Sequence, residues 1–138
     1  MNESEQVDEV KRWLKYAQED LNTAQNLSDQ DDFVPRQACW FAQQSAEKAL
    51  KAILIFLQIE FPFSHDLDVL CNLVSDDWGL KPKHSDLASL TEWAVESRYP
   101  GDWPEATVED ANNAVQEAQS LWQKVKEEFQ KRDIIINS

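Results

Sequence analysis

Apolar side chains recur at spacings of three and four along most of the chain, and that period predicts helices and leaves no place for a strand. Between residues 3 and 28 the seam is Val7, Val10, Leu14, Ala17, Leu21, Ala24 and Ser28. A polar connection, SDQDDFV, precedes Pro35, which suits the first turn of a helix because its missing N–H is not needed there. The stretch from Arg36 to Gln58 has no Gly or Pro and is long enough for about six turns. One arc of it is small and apolar: Ala38, Phe41, Ala42, Ser45, Ala46, Ala49, Ala52, Ile53 and Phe56. The opposite arc carries Gln43, Gln44, Glu47, Lys48, Lys51 and Gln58, interrupted by Trp40, Leu54 and Ile55. An apolar run that wraps round a helix from Ala52 to Leu57 is expected where neighbours cover it on several sides. This is read as the central helix of a bundle, with the polar arc as its solvated side.

Pro62 breaks the central helix. Ser64 is placed to cap a third helix from His65 to Asp77, with Asp66 and Asp68 in the first turn, where the helix dipole favours negative charge. DDWGLKPK reads as a loop with Gly79 and Pro82 as breakers. Ser85 is expected to cap a fourth helix, from Asp86 to about Ser97, with Leu87, Leu90, Trp93 and Ala94 inward. RYPGDWPEA, residues 98–106, is a loop of unusual make-up. Thr107 with Asp110 forms a capping-box signature. The seam Val108, Ala111, Val115, Ala118, Trp122, Val125 and Phe129 then predicts a last helix, with the tail after Asp133 fraying. These elements predict an all-α, up-and-down bundle of four to five helices in a single domain spanning residues 1–138, large enough to bury a core unaided.

Charge narrows the possible partners more than composition does. The formal net charge is −13, which argues against indiscriminate nucleic-acid binding. Residues 36–58 carry three cations and one acid, a basic island in an acidic chain. The two cysteines, Cys39 and Cys71, lack metal-ligand spacing and read as packed thiols of a reducing, cytoplasmic protein. Nothing in the spacing asks for a metal or other cofactor. The N-terminus has no apolar targeting core, and no apolar run approaches the ~18 residues of a membrane span.

Four pieces taken in order, WLKYAQEDLNTAQNL at 13–27, AQQSAEKALKAILI at 42–55, HDL at 65–67 and RYP at 98–100, give the chain a likeness over nearly its whole length. It resembles the HEPN domain family. The resemblance implies a homodimeric helical bundle that binds nucleotides or partners a minimal nucleotidyltransferase in a two-gene, toxin–antitoxin-like module. Many relatives are metal-independent ribonucleases using an arginine followed four to six residues later by a histidine. Arg98 matches the arginine, but Trp103, Pro104 or Glu105 stands where the histidine should be. A proton-transfer site of this kind wants a group near neutral pKa, which leaves a homodimeric ribonuclease with Glu105 or His65 as its base the alternative reading. In the favoured reading Arg98, Lys48 and Lys51 neutralise phosphate, with Glu47 and Arg36 beside them, and Tyr99 or Trp103 covers a base.

Overall fold

The structure, a computed structural model, describes residues 2–80, 87–94, 101 and 104–134, with Ala88, Ser89 and Ala94 described in backbone only. Three long helices form the body: α1 (Glu3–Ser28), α2 (Pro35–Phe56) and α5 (Val108–Lys131). Two short ones, α3 (Leu67–Leu73) and α4 (Ala88–Thr91), lie between α2 and α5. Single 3₁₀ turns follow α3 at Asp76–Trp78 and α4 at Glu92–Ala94. All these elements are helical, as the period requires.

α1 begins on a capping box, with Asn2 accepting from the Glu5 amide at 2.8 Å and the Glu5 carboxylate accepting from the Asn2 amide at 3.2 Å. It runs antiparallel to α2, because Gln6 near its start donates to the carbonyls of Ile55 and Phe56 at the end of α2. Val10, Leu14, Ala17, Leu21 and Ala24 are buried as the seam predicts. α1 packs on α2, where Ala38, Ala42, Ala46 and Ala49 are buried beside Ile53 and their small side chains let the axes approach closely. α5 packs on the same helix through Ala111, Ala118, Leu121, Val125 and Phe129, so α2 is covered on several sides. Leu54 is fully buried.

Helix ends carry two departures from expectation. α2 stops at Phe56, and Gln58 takes φ 56° in a Schellman closure in which the Ile59 amide reaches Leu54 O at 2.9 Å. α5 closes in the same way: Asp133 has φ 63° and the Ile134 amide reaches Phe129 O at 3.0 Å. Ile134 is therefore buried rather than frayed; residues 135–138 lie outside the described part.

α3 starts at Leu67, two residues later than expected. Asp66 is its cap, accepting from the amides of Asp68 and Val69 at 3.0 and 3.3 Å, while Ser64 Oγ accepts from the Asp66 amide at 3.0 Å. A carboxylate outcompetes a hydroxyl for the cap because its bonds are charge-assisted. The helix ends at Leu73 instead of Asp77, and the chain turns so that Trp78, expected in a loop, enters the core. There Trp78, Phe56 and Phe129 meet edge to face, with centroids 5.1–5.9 Å apart. Gly79 at φ 67° ends that turn. Leu87 and Leu90 are buried as predicted; Asp86 and residues 95–97 of the expected fourth helix are outside the described residues. The Thr107–Asp110 capping box is formed, with bonds of 2.9 and 3.0 Å. Among the described residues no helix is long and apolar enough to cross a membrane.

Candidate functional site

Gln43, Glu47 and Lys51 follow one another at steps of four and so share one side of α2. They were expected on a solvated strip, yet Gln43 is 0 %, Glu47 5 % and Lys51 6 % exposed. The reason is the segment after α2. The Schellman turn at Gln58 sends residues 59–66 back across this side of the helix, and periodicity within a helix cannot show what folds over it.

The buried group is a bonded network. Lys51 Nζ donates to Glu47 Oε2 at 2.9 Å, and His65 Nδ1 lies 2.7 Å from Glu47 Oε1. Gln43 Nε2 donates both to Glu47 Oε1 and to the His65 carbonyl, each at 3.2 Å. Gln44 Nε2 donates to Gln43 Oε1 at 2.7 Å. Burial by itself pushes the Glu47 carboxyl up, but the bonds from Lys51, His65 and Gln43 together with the Lys51 charge more than offset it and hold Glu47 below its ordinary range. Lys51 also faces two rings, Phe61 and Phe63, each centroid 5.8 Å from its ammonium.

A large apolar side chain stands in solvent close to this network. Phe63 is 93 % exposed, although its loop is fixed through His65 and Leu67, whose amide donates to Thr91 Oγ1 at 3.0 Å. The Phe63 ring stands edge-on to the His65 imidazole at 5.8 Å. With Nδ1 turned to Glu47, the second ring nitrogen of His65 has no partner among the described residues, and the side chain is half exposed.

Of the other predicted positions, those described do not join this network. Lys48 sits beside Gln44 on the α1 side of the helix and is paired with Asp20 of α1. Both lysines of the expected strip are thus already met by a carboxylate. Arg36 lies exposed in the first turn of α2, about three turns from Lys48. Arg98, Tyr99, Trp103 and His84 lie outside the described residues, and Glu105 is exposed just before α5. Of the apolar residues that interrupt the polar arc, Trp40 is exposed and stacks edge to face with Phe41 at 5.0 Å, whereas Leu54 is fully buried.

A second buried carboxylate had no clear signal in the sequence. Glu128 of α5, 3 % exposed, accepts from Lys124 (3.1 Å), Lys131 (2.8 Å) and Arg132 (3.1 Å). Burial raises its pKa, but the bonds from the three cations and the Lys124 charge bring it down to about 2. Arg132 lies over the Trp78 ring, 3.8 Å from its centroid, and reaches Asp77 at 3.2 Å. That cluster ties the end of α5 to the turn after α3. Glu128 was hidden among neighbouring charges, and Phe63 among the apolar residues of a Pro-broken loop.

The HEPN domain profile matches residues 10–128. Two crystal structures superpose on the chain with TM-scores of 0.64. One is ST0689, an archaeal HEPN homologue, with 28 % identity over 86 % of this chain and 95 % of its own. The other is TT1696 from Thermus thermophilus, with 26 % identity over 86 % of this chain and 97 % of its own. No curated protein matches the sequence.

Proposed function

Since the chain belongs to the HEPN domain family, we propose that it acts by docking a protein, as the accessory member of a two-gene, toxin–antitoxin-like module whose other product is a minimal nucleotidyltransferase. One observation carries this reading: the lysines that would have met phosphate are spent on Asp20 and Glu47, while a buried network holds Phe63 bare. A charged side chain already paired inside the protein has little left for an external anion. A fixed, exposed aromatic ring costs little further ordering when a protein partner covers it.

Co-expression with a minimal nucleotidyltransferase, followed by size-exclusion chromatography, tests the reading. A stable complex is expected, and calorimetry of the isolated chain against ATP and GTP is expected to give no binding heat. Loss of nucleotide binding in Lys48→Ala or Lys51→Ala would restore the phosphate strip and remove this proposal.

A second reading is supported by the Glu47–His65 contact. A buried carboxylate that fixes Nδ1 leaves the other ring nitrogen to move a proton, which is the arrangement a general base needs. His65 would then take the place of the histidine missing after Arg98, with Arg98 stabilising the scissile phosphate of an RNA. Cleavage of single-stranded RNA that disappears in both His65→Ala and Arg98→Ala supports it; inactivity of the unaltered chain removes it.

A further inference from the structure

Residues 59–77 contain five carboxylates, and neither lysine nor arginine occurs between Ala52 and Leu80. At the far end of this stretch Asp77 is met by Arg132, and Asp76 is engaged as well. Around the loop and α3 the remaining three are Glu60, Asp66 and Asp68. Glu60 and Asp66 are exposed and Asp68 is partly so. Asp66 is bonded by the backbone amides of Asp68 and Val69, which leaves its charge in place. Lys51, the cation beneath the loop, is buried and balanced by Glu47.

The same stretch holds two of the large apolar side chains that stand in solvent, Phe63 at 93 % and Val69 at 40 %. Phe63 lies two residues before His65, which is anchored to α2 both through its ring and through its carbonyl. Val69 is one helical turn beyond the Asp66 cap. Among the described residues none of Glu60, Asp66 and Asp68 is met by a cation, and the exposed apolar anchors Phe63 and Val69 fall between and beside them in sequence.

We propose that loop 59–66 and the outer side of α3 form a docking face for a positively charged protein segment that carries an apolar anchor side chain. Its lysines or arginines meet Glu60, Asp66 and Asp68, and its anchor packs on Phe63 and Val69. Charge decides among the occupants. A nucleic acid, an acidic segment or a second copy of this chain, net −13, brings like charge to the face. A basic segment is drawn to it and is held by the apolar contact. This rests on the accessory role proposed above and names the surface and the partner chemistry for it.

The test is fluorescence anisotropy of the full chain with a labelled amphipathic peptide of about five helical turns, lysines on one side and leucines on the other. Two controls replace the leucines by serine or the lysines by glutamate. The lysine–leucine peptide is expected to bind at least about tenfold more tightly than either control. Phe63→Ser and Val69→Ser, both at exposed positions and checked for an unchanged melting curve, are each expected to weaken it, the former by about tenfold. Glu60→Gln with Asp68→Asn is expected to flatten the salt dependence of binding. Equal binding of the serine control, unchanged affinity in Phe63→Ser, or no binding of the lysine–leucine peptide overturns the proposal. A nucleotidyltransferase complex that ignores Phe63→Ser would discard this face and keep the accessory role. Phe63-dependent peptide binding with no nucleotidyltransferase complex would do the reverse.

Discussion

Glu47 is the side chain on which the most contacts of the candidate site converge, and its replacement separates charge from shape. Glu47→Leu leaves the Lys51 ammonium buried without its partner and is expected to cost roughly 3–5 kcal/mol in denaturant unfolding. Glu47→Leu with Lys51→Met removes both charges, and most of that loss is expected to return, because a buried pair replaced by apolar groups of similar size is often close to neutral. A double variant as unstable as the single one would show that the network itself stabilises the fold. Glu128 makes a pH statement. Its folded-state pKa, about 2, lies below the ordinary 4.5, so its stabilisation is present above about pH 4.5 and lost as pH falls through 2. Glu47, also lowered, adds loss in the same direction. Acid unfolding followed by circular dichroism is expected to shift to higher pH and become shallower in Glu128→Gln. The spacing of Gln43, Glu47 and Lys51 was plain in the sequence, but their burial was not, because it depends on a loop that arrives from outside the helix.

Helices were legible where a long period and a cap agree. α1 keeps its expected bounds, Pro35 occupies the first turn of α2, and the Thr107–Asp110 box opens α5. Boundaries failed where the chain takes a conformation its residue type does not announce. Gln58 and Asp133 close helices at positive φ, a position glycine fills more cheaply than any residue with a Cβ. Gln58→Gly is therefore expected to raise stability by about 1 kcal/mol, read from the urea midpoint; a lower midpoint would show that the Gln58 side chain matters more than its backbone. Trp78 was misread because Gly79 and Pro82 mark its surroundings as loop. A turn can still deliver one large side chain to the core, and here it meets Phe56 and Phe129. Trp78→Ala is expected to cost about 3–5 kcal/mol in the same measurement.

For the molecule as a whole, the bundle could be read from the helical period and the family from four short runs, whereas the burial of the polar strip of α2 could not. The basic island from Arg36 to Gln58 is real in composition, but folding spends Lys48 on Asp20 and Lys51 on Glu47. Charge counted along a helix does not reveal the acids that other elements bring to it. What folding leaves outside is a strongly negative body, and added salt is expected to raise the melting temperature by screening its self-repulsion; a fall would mean that the ion pairs outweigh that repulsion.

A buried network fixes residues 59–66 and thereby stands Phe63 in solvent. Hydrogen exchange at the Asp66 and Leu67 amides, compared between the unaltered chain and Glu47→Leu with Lys51→Met, tests it most directly. Faster exchange at those two amides, with α1 and α5 unchanged, is the predicted result. Equal exchange in both proteins would contradict it, since the loop would then hold its shape without the charges beneath it.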